Sequence, residues 1–137
     1  MQTLNEMTMI LSERRRQIES EGWTLEHDDE HADGEMLNAA VHYLWSGTER
    51  AAPLIDMILK TPDGGYPTVK IPMGWPWQAH WWKPKTRHSN LVRAGALCLA
   101  ERERLVRANK YYGHVDQKLD IIIREMKSLP PDQTISG

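Results

Sequence analysis

Phenylalanine is absent from this chain of 137 residues, and cysteine occurs once, at Cys98. A lone cysteine excludes an intrachain disulfide framework, and its neighbours Leu97 and Leu99 mark it as a core residue rather than a nucleophile. A chain without disulfides suits a reducing compartment, so a cytoplasmic location is expected. No apolar run approaches the roughly 20 residues that span a bilayer. The opening residues MQTLNEMTMILSERRRQ lack the pattern of a secretion signal, and no membrane association is expected. Charge of neither sign dominates: 17 Lys and Arg stand against 19 Asp and Glu, for a net charge of −2 and a pI near 6.3. General nucleic-acid binding, which favours a basic chain, is therefore not expected. No Ser/His/Asp or Cys/His arrangement stands out, and Gly64-Gly65 reads as a turn rather than a phosphate cradle.

The length favours one domain, able to bury roughly two thirds of its unfolded surface. We assign residues 1–129 to a single helical domain and 130–137 to a loose tail that begins at Pro130-Pro131. Six Trp and four Tyr replace the missing phenylalanine, and Trp75, Trp77, Trp81 and Trp82 crowd into one stretch.

Apolar spacing predicts the elements. Residues 3–20 read as an amphipathic helix with Leu4, Met7, Leu11 and Ile18 near one stripe, Ile10 adjacent, and Gly22 closing it. Within the run Arg14-Arg15-Arg16, Arg16 with Gln17 is expected to point inward. A short helical turn fits 25–31. Glu35 to Trp45 is strongly helical, with Met36, Ala39, Ala40, Tyr43 and Leu44 as its inner face and Gly47 after its end. Another short helix is expected over 48–60, with Pro53 in its first turn. Thr61 to Pro84, rich in Pro and Gly, forbids a long helix; Asp63-Gly64-Gly65 is a turn and Thr68 to Ile71 an extended segment. Ser89 or Asn90 is expected to cap a long helix reaching Asn109, whose small Ala94-Gly95-Ala96 run would pack against Ala39 and Ala40. Glu101 to Arg107 reads as its charged face, with Glu103 and Arg107 paired. A last helix, 115–128, repeats Val115, Leu119, Ile122 and Met126, and Ile121-Ile122-Ile123 makes it apolar on more than one side. The expected fold is all-α: four or five helices with one long ordered Trp/Pro-rich loop. Its apolar helices 91–109 and 115–128 are expected to build a homo-oligomer.

Two clusters carry chemistry. His27, Asp28, His31 and Glu35 share one face if their segment is helical, a set that suits hydrogen bonds to an organic ligand or, alternatively, a divalent metal. The stretch WPWQAHWWKPK joins flat aromatic faces to Lys83, Lys85 and the nearby Arg87, the means by which proteins hold bases and phosphates. The competing reading is that the Trp side chains staple the loop to the core.

With these residues in view, the chain resembles a family of small phage and prophage proteins. The resemblance rests on Glu13-Arg14-Arg15-Arg16-Gln17, Glu21 to His31, Gly34 to Tyr43, Trp75-Pro76-Trp77, Trp81 to Pro84 and Asn90 to Leu105, and it covers residues 13–107. It implies a phage-borne accessory protein acting against host defence in the host cytoplasm, in the manner of small oligomers that sequester nucleotide signals. A weaker resemblance is to all-α, Mg-dependent nucleotide pyrophosphohydrolases of the MazG type. Glu26-x-x-Asp29 and Glu30-x-x-Asp33 match half of their motif, while Glu13-x-x-Arg16 stands where a Glu-x-x-Glu is wanted.

The resulting expectation is a protein that binds a nucleotide-derived immune signal, of cyclic nucleotide or cyclic ADP-ribose type, without cleaving it. Trp75, Trp77 or Trp82 would stack the base. Arg16, Lys83 and Arg87 would meet phosphates, and His27, Asp28, His31 and Glu35 would bind ribose or base edges. Gln17, Trp23, Tyr43 and Asn90 complete the candidate ligand-binding set. No cofactor is expected; Mg or Mn would enter only if the chain were a pyrophosphohydrolase. A protein–protein inhibitor of a defence complex such as CRISPR is the remaining alternative.

Overall fold

The computed structural model describes residues 2–21 and 34–130. Their order is α1 (Gln2–Glu21), α2 (Glu35–Trp45), β1 (Leu54–Ile58), β2 (Thr68–Pro72), a 3-10 turn (Ala79–Trp81), α3 (Arg87–Arg107) and α4 (Gly113–Lys127). The helical turn expected over 25–31, the closing Gly22 and the tail 131–137 lie outside the described residues. The protein is mostly helical, with four α-helices among the described residues, but it is not all-α.

The departure is a β-hairpin. Residues 54–58, expected to be helical, pair antiparallel with 68–72 in the register Leu54↔Pro72 to Ile58↔Thr68. A short apolar run cannot be assigned by periodicity alone, and here the partner strand decides it. Ile55, Val69 and Ile71 face the core, while Leu54, Asp56 and Ile58 point away. The turn lies at Asp63-Gly64-Gly65, where Gly64 takes φ +86° and Gly65 N–H donates to Asp63 Oδ1 and Thr61 Oγ1, both at 3.0 Å.

Helix α3 is the centre of the molecule and packs against each of the other three helices. Its N-cap is Thr86, not Ser89 or Asn90: Thr86 Oγ1 accepts from Ser89 N–H at 3.1 Å. The helix ends at Arg107, and Asn109 takes the left-handed conformation at φ 57°. Contacts rise together along α1 and α3, from Ile10 at Gly95 to Arg14 at Glu103, so these two helices run parallel. Contacts fall along α4 as they rise along α3, from Arg87–Glu125 to Arg102–Asp116, so this pair is antiparallel.

The inner faces of α2 and α4 are those the spacing predicts. Met36, Ala39, Ala40, Tyr43 and Leu44 are buried on α2, and Val115, Leu119, Ile122 and Met126 on α4, joined by Ile123. The apolar ladder expected to drive oligomerisation is thus spent largely inside one chain. The stripe of α1 is shifted by one residue: Ile10 is fully buried, Leu11 is 53% exposed, and Arg14 and Gln17 continue the Ile10 face. The inward arginine is therefore Arg14, whose Nε donates to Glu103 Oε2 at 3.1 Å, and not Arg16. On α3 the expected charged face turns partly inward. Glu101 and Arg104 are buried and form a two-pronged ion pair at 2.7 and 2.9 Å, because helices cover α3 on three sides.

Gly95 faces α1, not Ala39 and Ala40 alone. A Cβ placed there would lie 2.6 Å from Ile10 Cδ1 and 3.1 Å from Ile10 Cγ2, and Ile10 has no exposed surface into which to move. Overpacking costs about 1–3 kcal/mol, against the roughly 0.5–1 kcal/mol that Ala gains over Gly in a helix. Gly95→Ala is therefore expected to lower the stability measured by urea unfolding by about 1–2 kcal/mol. Ile10→Val, which removes Cδ1, should recover part of that loss in the double variant. An unchanged midpoint in Gly95→Ala would show that α1 does not depend on this contact.

Candidate functional site: a cation-rich cleft between α1 and α3

Three elements converge on a cleft of about 520 Å³. Helix α1 presents Thr8, Met9, Ser12, Glu13 and Arg16, one face at helical spacing and distinct from the Ile10–Arg14–Gln17 face that meets the core. Helix α3 presents its first two turns, including His88, Asn90 and Arg93. The loop before α3 adds Lys83 and Lys85. Four cations, Arg16, Lys83, Lys85 and Arg93, thus meet one carboxylate, Glu13, among the described lining residues.

Each cation is held by local structure. Asn90, buried, accepts from Lys85 N–H at 2.7 Å through Oδ1 and donates to Lys85 O at 3.4 Å, so it fixes the loop rather than offering its amide to the cleft. Tyr43, buried on α2, sends its hydroxyl out to the same loop. That hydroxyl donates to Trp81 O at 3.2 Å and accepts from Lys83 N–H at 2.9 Å. Arg93 Nη1 lies 3.5 Å from the same oxygen, with its guanidinium 5.4 Å from the Tyr43 ring centre. Lys83 Nζ lies 5.4 Å from the Trp81 ring centre. Arg16 donates twice to Glu13, and Gln17 Nε2 adds a bond to Glu13 Oε2 at 3.3 Å.

The sequence-selected residues divide clearly. Arg16, Lys83 and Asn90 line the cleft, with Gln17 and Tyr43 directly behind it. Trp75, Trp77 and Trp82 do not line it. Trp75 is buried, edge-on to Tyr43 at 5.8 Å, Trp82 at 5.0 Å and Trp77 at 5.7 Å, and its Nε1 donates to Gln78 O at 3.1 Å. Trp82 lies against Tyr43 at 4.7 Å between ring centres. These side chains staple the loop to α2. Arg87 points the other way: it donates to the Leu44 carbonyl and to Glu125 Oε1 at 2.9 Å, tying the end of α2 to α4. Glu35 opens α2, where its charge favours the helix dipole. Trp23, His27, Asp28 and His31 lie outside the described residues, as do Glu26, Asp29, Glu30 and Asp33. Among the described residues no group of three His, Cys, Asp or Glu side chains could hold a metal ion, and no helix is long and apolar enough to cross a membrane.

Sequence reading passed over Glu13, His88 and Arg93. For Arg93 the signal was the Thr86 cap: once α3 starts at Arg87, Ser89, Asn90 and Arg93 fall on one face; for Glu13 it was the i,i+3 spacing to Arg16. Cys98 is buried in the core and its thiol is pushed up to about 12, so it takes no part in chemistry near neutral pH. Comparison of the chain with protein-family models, curated proteins and solved structures gives no match.

His88 is buried at the cleft wall, and its Nδ1 has no hydrogen-bond partner among the described residues. Burial lowers its pKa from the ordinary value, partly offset by the Glu6 carboxylate. Burial likewise lowers His42, partly offset by a Gly74 backbone hydrogen bond. Above about pH 6.5 both are neutral in either state and cost nothing. As pH falls below that value the unfolded chain takes up protons that the native chain refuses, so stability drops until the lowered native values are reached. NMR titration is expected to place both imidazoles below about 6.5, with unfolding free energy decreasing from there toward acid. A His88 midpoint above that value would overturn its neutral, desolvated state.

Proposed function

We propose that this chain is a phage-encoded anti-defence protein that binds a nucleotide-derived signal in the α1/α3 cleft and holds it intact. The observation that carries this reading is the convergence of Arg16, Lys83, Lys85 and Arg93 on one cleft of about 520 Å³. That volume falls in the range of roughly 300–1,000 Å³ typical of small-ligand sites. Guanidinium and ammonium groups are the side chains that recognise phosphate oxygens. The motifs that carry the resemblance to small phage proteins include Arg16, Lys83 and Asn90, which all lie at this cleft. The phosphates are assigned to Arg16, Lys83, Lys85 and Arg93. The sugar and base are assigned to His27, Asp28, His31 and Glu35, the candidates of the sequence reading. A site of action in the host cytoplasm follows from the same reading. Self-association is retained through α4, where Ile121 is only half-buried.

Native mass spectrometry of the purified chain, incubated with a pool of nucleotide signals with and without Mg²⁺, tests this. One nucleotide bound and recovered unchanged is expected, and the same spectrum gives the assembly number. Lys83→Glu combined with Arg93→Glu should weaken it by roughly a hundredfold, as two favourable charge contacts become repulsive. Binding that survives this double variant would place the ligand elsewhere. A shortened nucleotide formed only with metal would replace sequestration with pyrophosphate hydrolysis. Absence of any ligand, with a host protein captured instead, would favour the inhibitor reading.

A further inference from the structure

Resting on the cleft reading above, we infer that Glu13 is an internal competitor: its carboxylate holds the position that a ligand phosphate must take. Glu13 Oε1 accepts from Arg16 Nε at 2.8 Å and Oε2 from Arg16 Nη2 at 2.7 Å, the two-pronged pairing that a guanidinium also makes with phosphate. Oε2 further lies 4.0 Å from Arg93 Nε across on α3. One carboxylate, 15% exposed, therefore sits between a guanidinium of α1 and a guanidinium of α3. Its single negative charge balances Arg16, which it pairs at 2.7 Å, and offsets part of the charge of Arg93 at 4.0 Å.

This arrangement sets the ligand class. An anion entering the cleft finds the donor edge of Arg16 taken and a negative charge facing it. A single-charged anion offers Arg16 and Arg93 no more than Glu13 already does. A ligand with two or more negative charges in close succession, such as a pyrophosphate or a terminal phosphate dianion, can draw on Lys83 and Lys85 as well. That additional attraction is what displaces Glu13 from Arg16, against a third hold on its carboxylate, the Gln17 amide at 3.3 Å. The cleft is thereby selective for multiply charged phosphates over carboxylates and single phosphodiesters.

Isothermal titration of the full chain with pyrophosphate tests the inference. Glu13→Gln keeps the shape and one acceptor while removing the charge, and it is expected to tighten pyrophosphate binding roughly tenfold. Glu13→Asp keeps the charge on a shorter arm and should fall between wild type and Glu13→Gln. Circular dichroism of each variant verifies the fold. Wild-type binding that is unchanged or weakened by Glu13→Gln would overturn the competitor role, making Glu13 a group that orients Arg16, and would leave the anion cleft standing. No pyrophosphate binding by wild type or either variant would overturn the cleft reading itself, and this inference with it.

Discussion

The contact of Ile10 with Gly95 sets how closely α1 approaches α3, and the rest of the molecule depends on that spacing. Ala94, Gly95, Ala96 and Ala100 are all fully buried on α3, and small residues on several sides let α1, α2 and α4 approach one helix at once. A single helix crowded in this way leaves little room for polar groups, yet Glu101 and Arg104 lie buried on it. They are tolerated because each satisfies the other through two short hydrogen bonds within one turn. Removing either alone would strand a buried charge, at a cost of about 3–5 kcal/mol. Arg14 lies in the same crowding: its side chain is buried along the Ile10 face, and its guanidinium pairs with the partly exposed Glu103.

Parallel packing of α1 and α3 also creates the cleft. The two helices touch through the Ile10–Arg14–Gln17 face, so the adjacent Thr8–Ser12–Arg16 face is left beside α3 without closing on it. The loop bearing Lys83 and Lys85 walls the open side. Four positive charges in such proximity repel one another, and Glu13 offsets part of that repulsion through Arg16 and Arg93. An empty basic cleft is in this sense already half-satisfied. The positive charge that Glu13 leaves unbalanced is that of the two lysines, exposed where the arginines are partly buried, and part of that of Arg93.

How much of this was legible in the sequence depends on which force decided each element. The inner faces of α2 and α4 were read correctly because burial on one side imposes a helical period and nothing competes with it. The turn at Asp63-Gly64-Gly65 and the extended 68–71 were read correctly because glycine permits the positive φ that Gly64 takes, while β-branched residues favour extended backbone. Strand β1 was missed because LIDMI has no period long enough to distinguish helix from strand; its partner lies ten residues away. The phase of α1 was missed by one position. Leu4, Met7 and Leu11 form a stripe as good as Ile10, Arg14 and Gln17 by spacing, and only the close seat of Ile10 on Gly95 selects the second. Arg16 rather than Arg14 was chosen for the interior by that same slip, though it does reach the cleft.

The aromatic loop and the basic cleft were read as two halves of one ligand site, a stacking platform beside a phosphate grip. Their geometry makes them a support and what it supports. Trp75 packs edge-to-face with Trp77, Trp82 and Tyr43, which leaves it no open face for a base, and Trp82 lies tilted against Tyr43. What the cluster fixes is Tyr43, and what Tyr43 fixes is the chain at Trp81 and Lys83 together with the guanidinium of Arg93. A hydroxyl that joins a buried ring cluster to three elements at the cleft makes the placement of the cations a property of the core. Ordering flexible Lys and Arg side chains at the moment of binding costs about 0.5–1.5 kcal/mol each. Fixing the backbone of Lys83 and the head of Arg93 beforehand removes part of that cost. The tryptophan-rich stretch therefore acts by rigidity, and under the proposed nucleotide binding the surface that would meet the ligand is the polar one it holds in place.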